Sequence, residues 1–172
     1  MKELTYVMIK PDGVKKQIQT DVLKTFRDNG LEINIMQTDI LSNNLDKIKE
    51  HYSHLLDKPF YPELEAHMAS GPIVKMVVAG EDAIKKVRTL VGPTKVKDAI
   101  ETAPDSIRAK YGNPDNDCEN VIHASDALLT AIKEIYRFYD EDLIDEVLYK
   151  YKDDMDPHQK EYAKIKKKYK NS

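Results

Sequence analysis

The stretch Asn120-Val121-Ile122-His123-Ala124-Ser125-Asp126 holds the most reactive arrangement in the chain. Val121-Ile122 predicts the end of a buried strand. Ser125 or Asp126 predicts the N-cap of a helix whose apolar face is Leu129, Ile132, Ile135 and Tyr136. His123 then stands at a strand end just before a helix N-terminus, where free N–H groups and the helix dipole favour anions. A histidine there can do chemistry on a phosphate; the pattern also fits a histidine satisfied within the structure. Lys10 stands at another strand end, before the rigid turn Pro11-Asp12-Gly13. It suits a phosphate or a ribose hydroxyl, or is an ordinary surface lysine. Phe60 lies in the stiff corner Lys58-Pro59-Phe60-Tyr61-Pro62. Exposed, it could stack on a nucleobase; otherwise it staples two short helices together. Tyr52 has core spacing, and Arg88 falls on the outer face of its helix.

The elements that must position these groups alternate. Leu4 to Ile9 predicts a central strand. Ile18, Val22, Leu23 and Phe26 predict a helix stopped by Asn29-Gly30. Leu31 to Ile35 alternates with period two, as a half-buried strand does. Ser42 can cap a helix carrying Leu45, Ile48, Tyr52, Leu55 and Leu56. A short helix with Leu64 and Met68 follows. Pro72 to Val78 predicts a strand buried on both faces. Asp82 can start a helix with Ala83, Ile84, Val87 and Leu90 inside, ending at Gly92-Pro93-Thr94. Residues 93–119 form a long polar connection with one or two helical turns over Lys95 to Glu101, and a connection this long favours function. Helices follow from Ser125 to about Arg137 and from Asp140. The order predicts an α+β fold: a βαββαβ ferredoxin-like sandwich, a four-stranded antiparallel sheet with helices on one face, plus extra C-terminal helices.

Composition narrows the class. The 172 residues are enough for one ordinary domain, and 33% of them are charged, which predicts a soluble globular protein. A formal net charge of −3 gives no general case for nucleic-acid binding. Cys118 is the single cysteine, so no internal disulfide can form. No apolar run reaches signal-peptide or bilayer-spanning length, and the expected compartment is the cytoplasm. Residues 152–172 carry seven lysines against four acidic residues, with Asp156-Pro157 as a fresh helix start and Tyr162, Ile165 and Tyr169 at helical spacing. They are expected to form a solvated terminal helix, dispensable for chemistry.

Three separated strings, Met8-Ile9-Lys10-Pro11-Asp12-Gly13-Val14, Lys58 to Pro62 and Asn120 to Asp126, closely resemble nucleoside diphosphate kinases. Ser70-Gly71-Pro72, Gly92-Pro93-Thr94 and Ser106-Ile107-Arg108 extend the resemblance, which runs from about Leu4 to about Phe138. It implies a kinase domain over 1–151 with a lysine-rich tail over 152–172. The implied reaction is ping-pong transfer of the γ-phosphate of a nucleoside triphosphate, typically ATP, to a nucleoside diphosphate through a phosphohistidine on His123. It implies that Glu134 holds the other ring nitrogen and that Tyr52 lies near the transferred group. Arg88, Arg108 and Thr94 would grip phosphates, Lys10 and Asn120 the ribose and nearby phosphate, and Phe60 the base. Mg²⁺ would arrive with the nucleotide rather than in a protein metal site. A homo-oligomer is implied, a hexamer ahead of a tetramer, with neither membrane nor nucleic acid as a partner.

The chain departs from the family pattern in places. Lys15-Lys16-Gln17-Ile18 lacks the usual glycine, Glu119 replaces an arginine, Ala124 replaces a glycine, and Asp117-Cys118 stands at the far wall of the base pocket. A family-like chain kept as a binding or scaffold module is the competing reading. The complete set of His123, Lys10, Arg88, Arg108, Asn120 and Glu134 favours the enzyme.

Overall fold

The computed structural model describes residues 2–154, 162 and 164–168. Four strands, β1 (Lys2–Ile9), β2 (Glu32–Asp39), β3 (Ile73–Glu81) and β4 (Ile122–Ala124), form one antiparallel sheet in the order β2-β3-β1-β4. This is the ferredoxin-like order. The central strands are apolar on both faces, so side chains alternate between two cores. Val7, Ile9, Val74, Met76 and Val78 meet α2 (Gln19–Asp28) and α5 (Ala83–Val91) through Val22, Phe26, Ala83 and Val87. That is the expected helix pair. Leu4, Tyr6, Met8, Ile73 and Val77 point the other way. The additional helices close that second face: α3 (Leu45–His51), α4 (Tyr61–Met68), α8 (Leu128–Phe138) and α9 (Glu141–Lys150). Tyr6 stacks on Phe138 with ring centroids 5.0 Å apart, which seats α8 on β1.

Several local expectations are corrected. Pro11-Asp12-Gly13 is not a free turn; it opens a short helix, α1 (Pro11–Lys15), with proline at its first position, where no N–H is needed. Ser42 caps nothing, because Leu41–Asn43 is a 3-10 turn and α3 starts after Asn44. The helix stops at His51, a second 3-10 turn follows, and Leu45 and Leu56 are exposed. Nor does the helix after His123 start at Ser125 or Asp126. The Ser125 N–H and hydroxyl both donate to the Tyr6 carbonyl, at 3.1 and 3.3 Å, so its backbone continues along β1 and α8 begins only at Leu128. Leu129 is exposed, and the buried face is Ala131, Ile132, Glu134, Ile135 and Phe138. Val121 lies outside the strand with φ of 64°, and His123 is the middle residue of β4. The 93–119 connection is largely helical, with α6 (Val96–Thr102) and α7 (Ile107–Tyr111), the latter capped by the Ser106 hydroxyl.

Asp156-Pro157 and Tyr169 lie outside the described residues. Within the tail, Lys164, Lys167 and Lys168 are exposed, as a solvated helix requires. Tyr162 and Ile165, however, are buried in the core beside α8 and α9, and Lys166 pairs with Glu141 and Asp145. Among the described residues no helix is long and apolar enough to cross a membrane.

The missing family glycine has a local cost. Gln17 is exposed and holds φ of 59° between α1 and α2, a left-handed conformation that a side chain disfavours. Gln17→Gly should raise stability by about 0.5–1 kcal/mol, the relief of strain exceeding glycine's extra unfolded-state entropy. The check is a higher urea midpoint with an unchanged m-value; a lower midpoint would show the turn to be unstrained.

Candidate active site

His123 is set by β4, in register with Met8 of β1. Three hydrogen bonds hold this short edge strand and the Val121 that leads into it. Asp12 Oδ2 accepts the Val121 N–H at 3.0 Å, and Asp12 Oδ1 lies 2.9 Å from His67 Nε2. The Lys10 N–H donates to the Val121 carbonyl at 2.9 Å. Arg108 Nη2 donates to the Ile122 carbonyl at 2.7 Å. Gly13 packs under the same segment, where an added Cβ would sit 2.5 Å from the Val121 oxygen. The unfavourable φ of Val121 is thus over-determined, as strained residues at functional sites must be.

The His123 Nε2 forms a hydrogen bond with Glu134 Oε2 from α8. Among the described residues its Nδ1 has no hydrogen-bond partner. Burial, then the cations Arg108, Lys10 and Arg88, push the His123 pKa down to about 3. The ring is therefore neutral near pH 7 and keeps a nucleophilic lone pair on Nδ1 if Nε2 carries the proton. Burial moves the Glu134 carboxyl the other way, above its ordinary value, while the Ser125 hydroxyl and Arg137 oppose the rise. The His51 ring meets the His123 ring edge-on at 4.5 Å.

Three cations stand around the histidine. Buried Lys10 donates to the Cys118 carbonyl at 2.5 Å and to Asn120 Oδ1 at 3.0 Å, and burial lowers its pKa to about 8. Asn120 Nδ2 in turn donates to the Thr94 carbonyl at 3.0 Å. Arg108 reaches the Gly92 carbonyl at 3.0 Å, and burial with Arg88 nearby brings its pKa to about 10. Its buried Nε has no hydrogen-bond partner among the described residues. Arg88 Nη1 lies 3.4 Å from the Ala124 carbonyl. Tyr52 ends α3, its hydroxyl pKa raised by burial. Phe60 precedes α4 and is 46% exposed.

All nine nominated residues, Lys10, Tyr52, Phe60, Arg88, Thr94, Arg108, Asn120, His123 and Glu134, line one cavity of about 1200 Å³. Asp117 and Cys118 do form part of its wall. Asn116 ties that wall to α4 through Glu63 at 3.2 Å. Sequence reasoning missed Asp12, read as a turn residue, together with His51 and Arg137. Arg137 follows Glu134 by three positions on one helix, a spacing that could have nominated it. Ligand atoms of His51, His123 and Glu134 lie within 4.8 Å of one another. Lys10, Arg88 and Arg108 around His123, and Arg137 beside His51, oppose a divalent cation there.

A neutral histidine oriented by a carboxylate, facing arginines and a lysine in a cleft of an α+β sandwich, defines the class: a phosphotransferase. The comparisons with known proteins agree. Residues 3–144 match the family model "Nucleoside diphosphate kinase". The chain is 39% identical over 142 residues to the nucleoside diphosphate kinase of Methanosphaera stadtmanae, covering 82% of this chain and 88% of that one. It is 41% identical over 145 residues to that of Natronomonas pharaonis, with 81% and 88% covered. Among solved structures, a halophilic nucleoside diphosphate kinase from Halobacterium salinarum in complex with CDP superposes with a TM-score of 0.75. It shares 36% identity over 83% of this chain and 90% of that one. The chain belongs to the nucleoside diphosphate kinase family.

Proposed function

We propose that this enzyme moves the γ-phosphate of a nucleoside triphosphate, typically ATP, to a nucleoside diphosphate in two half-reactions through His123. The observation that carries the reading is the neutral imidazole whose Nε2 is engaged by Glu134 while three cations stand about the ring. Nδ1 attacks the γ-phosphorus; the N–P bond forms, the bond from phosphorus to the β–γ bridging oxygen breaks, and the diphosphate leaves with its electron pair. A second diphosphate reverses the sequence. Arg88 and Arg108 stabilise charge spread over the phosphoryl oxygens, Thr94 helps hold the phosphates, and Tyr52 borders the transferred group. Lys10 and Asn120 hold the ribose and nearby phosphate, and Phe60 stacks on the base. The cationic wall, whose buried carboxylate Glu134 is already engaged, suits Mg²⁺ carried in on the nucleotide phosphates, where it would offset their charge.

The catalytic unit is residues 1–151, with 152–172 an appended segment. The assembly is a homo-oligomer, a hexamer ahead of a tetramer, working in the cytoplasm. Light scattering of the pure protein tests the assembly. The CDP held by the halophilic relative supports nucleoside diphosphates as the substrate class.

Incubation with γ-labelled ATP and Mg²⁺, without acceptor, tests the reaction. The protein should take up an alkali-stable, acid-labile label and surrender it to GDP or CDP; a wild-type protein that takes up none would overturn the proposal. Stacking on Phe60 reads a flat π-face shared by every base. Purine and pyrimidine diphosphates should therefore be accepted within about two orders of magnitude, roughly 3 kcal/mol. Competition assays over the common diphosphates check this, and strict selection of one base would point to the Asp117-Cys118 wall.

A further inference from the structure

Behind Glu134 lies a charged group that the proposed chemistry does not yet use. Arg137, on α8 one turn beyond Glu134, is largely buried with 11% side-chain exposure. Its Nη1 is 3.1 Å from His51 Nδ1, and its Nε is 3.3 Å from Glu50 Oε1. His51 Nδ1 is itself 3.5 Å from Glu134 Oε2, the oxygen that holds His123. Without a donor, an imidazole lone pair so close to a carboxylate oxygen is repulsive. The guanidinium removes that conflict, because it donates to Nδ1 and sets a positive charge beside the carboxylate.

We propose that Arg137 is a positioning residue for phosphoryl transfer: by anchoring His51 against Glu134 it keeps Glu134 ionised and the Nε2 proton on His123. This rests on His123 being the phosphorylated residue. The proton's place matters for both half-reactions. Nδ1 can return the phosphoryl group only if the ring leaves as neutral imidazole with Nε2–H intact. A proton lost to Glu134 would make the departing ring an imidazolate, a far poorer leaving group.

Other groups around Glu134 do not make Arg137 redundant. From α3 and the turn after it come His51 and Tyr52; from β1, Tyr6; from β4 and the segment after it, His123, Ser125 and Asp126. Asp126 disfavours negative charge on the carboxylate and the Ser125 hydroxyl favours it, while the Tyr6 and Tyr52 hydroxyls, their own pKa values raised by burial, stay uncharged. Burial, the first cause acting on His51, holds that ring neutral, so it does not replace a lost arginine charge. Lys10, Arg88 and Arg108 bear on the His123 ring itself.

The test follows phosphoenzyme formation from γ-labelled ATP, and its discharge to GDP, across pH in the full-length protein. Ionised Glu134 is the active form and Arg137 lowers its pKa, so removing the charge should move the acid limb of the rate profile upward. Arg137→Met should shift it by about one pH unit and slow discharge about tenfold near the limb. Arg137→Gln keeps a donor for His51 without charge and should shift the limb too. Arg137→Lys should return it to within a few tenths of a unit of wild type. If Arg137→Met fails to fold, the Gln and Lys pair decides. An unmoved limb in the Gln variant, whether the rate falls uniformly or not at all, would overturn the proposal. So would a raised KM for ATP with the limb in place, which would make Arg137 a substrate contact. Wild-type protein that takes up no label would instead refute the phosphohistidine reading beneath it.

Discussion

His123→Ala is expected to take up no phosphate and to lose at least about four orders of magnitude in turnover, more than 5 kcal/mol of transition-state stabilisation. The size follows from the role: a nucleophile that carries the group between two substrates has no stand-in. His51 is the nearest imidazole, but it is buried and its Nδ1 is held by Arg137. The substitution should leave the fold intact at a cost of about 1–2 kcal/mol. It does remove a partner from a buried carboxylate, yet Glu134 keeps Arg137 nearby and, with its pKa already raised, can take up a proton. Denaturing gels after incubation with γ-labelled ATP provide the measurement, with circular dichroism to confirm folding. His51, His54, His67 and His158 variants should still label. Normal labelling of His123→Ala would place the nucleophile elsewhere.

Asp12→Ala carries the second-largest expected loss. One carboxylate ties the strained Val121 backbone to His67, with both oxygens used. Removing it strands a buried N–H and frees a β-branched residue from left-handed backbone. The expected cost is about 2–4 kcal/mol of stability and at least about tenfold in turnover, because His123 is two residues from the released peptide. Burial alone would raise the Asp12 pKa, but the hydrogen bond with His67, the charge of Lys10 and the Val121 N–H together bring it below 3.8. A depressed carboxyl pKa gives stability that is full above the unfolded-state value and is lost as pH falls through the folded one. The variant should therefore differ most from wild type at neutral pH and converge with it in strong acid. Urea titrations at pH 7 and pH 3 test both statements; equal differences at the two pH values would exclude the ionised carboxylate as the source.

Sequence reading could nominate a candidate site because the residues concerned lie in short strings. Lys10, Phe60 and His123 each sit beside turn or strand signals, and the nine nominated residues converge on one cavity. The fold was equally open, since β1 and β3 announce their two-sided burial by unbroken apolar runs. What escaped depends on partners far away in the chain. Ser125 has the residue type of a helix cap, but its N–H and hydroxyl donate to the Tyr6 carbonyl, 119 residues earlier. Asp12 looked like a turn residue because Val121 could not be placed beside it, and His51 gave no sign of meeting Arg137 across 86 residues. The burial of Tyr162 and Ile165 was hidden by surrounding lysines, whose charge suggested solvent on every side.

The ties on β4 also bear on synthesis. Asp12 reaches Val121 across 109 positions and Lys10 reaches Asn120 across 110. Glu134, which orients the histidine, is translated later still. A nascent chain can thus pair β1 with β3 and bury most of the α2 and α5 core while it still lacks His123, the proposed nucleophile. Phosphoryl transfer begins only when nearly the whole domain has left the ribosome, so incomplete chains hold no working kinase, however well their first half has folded.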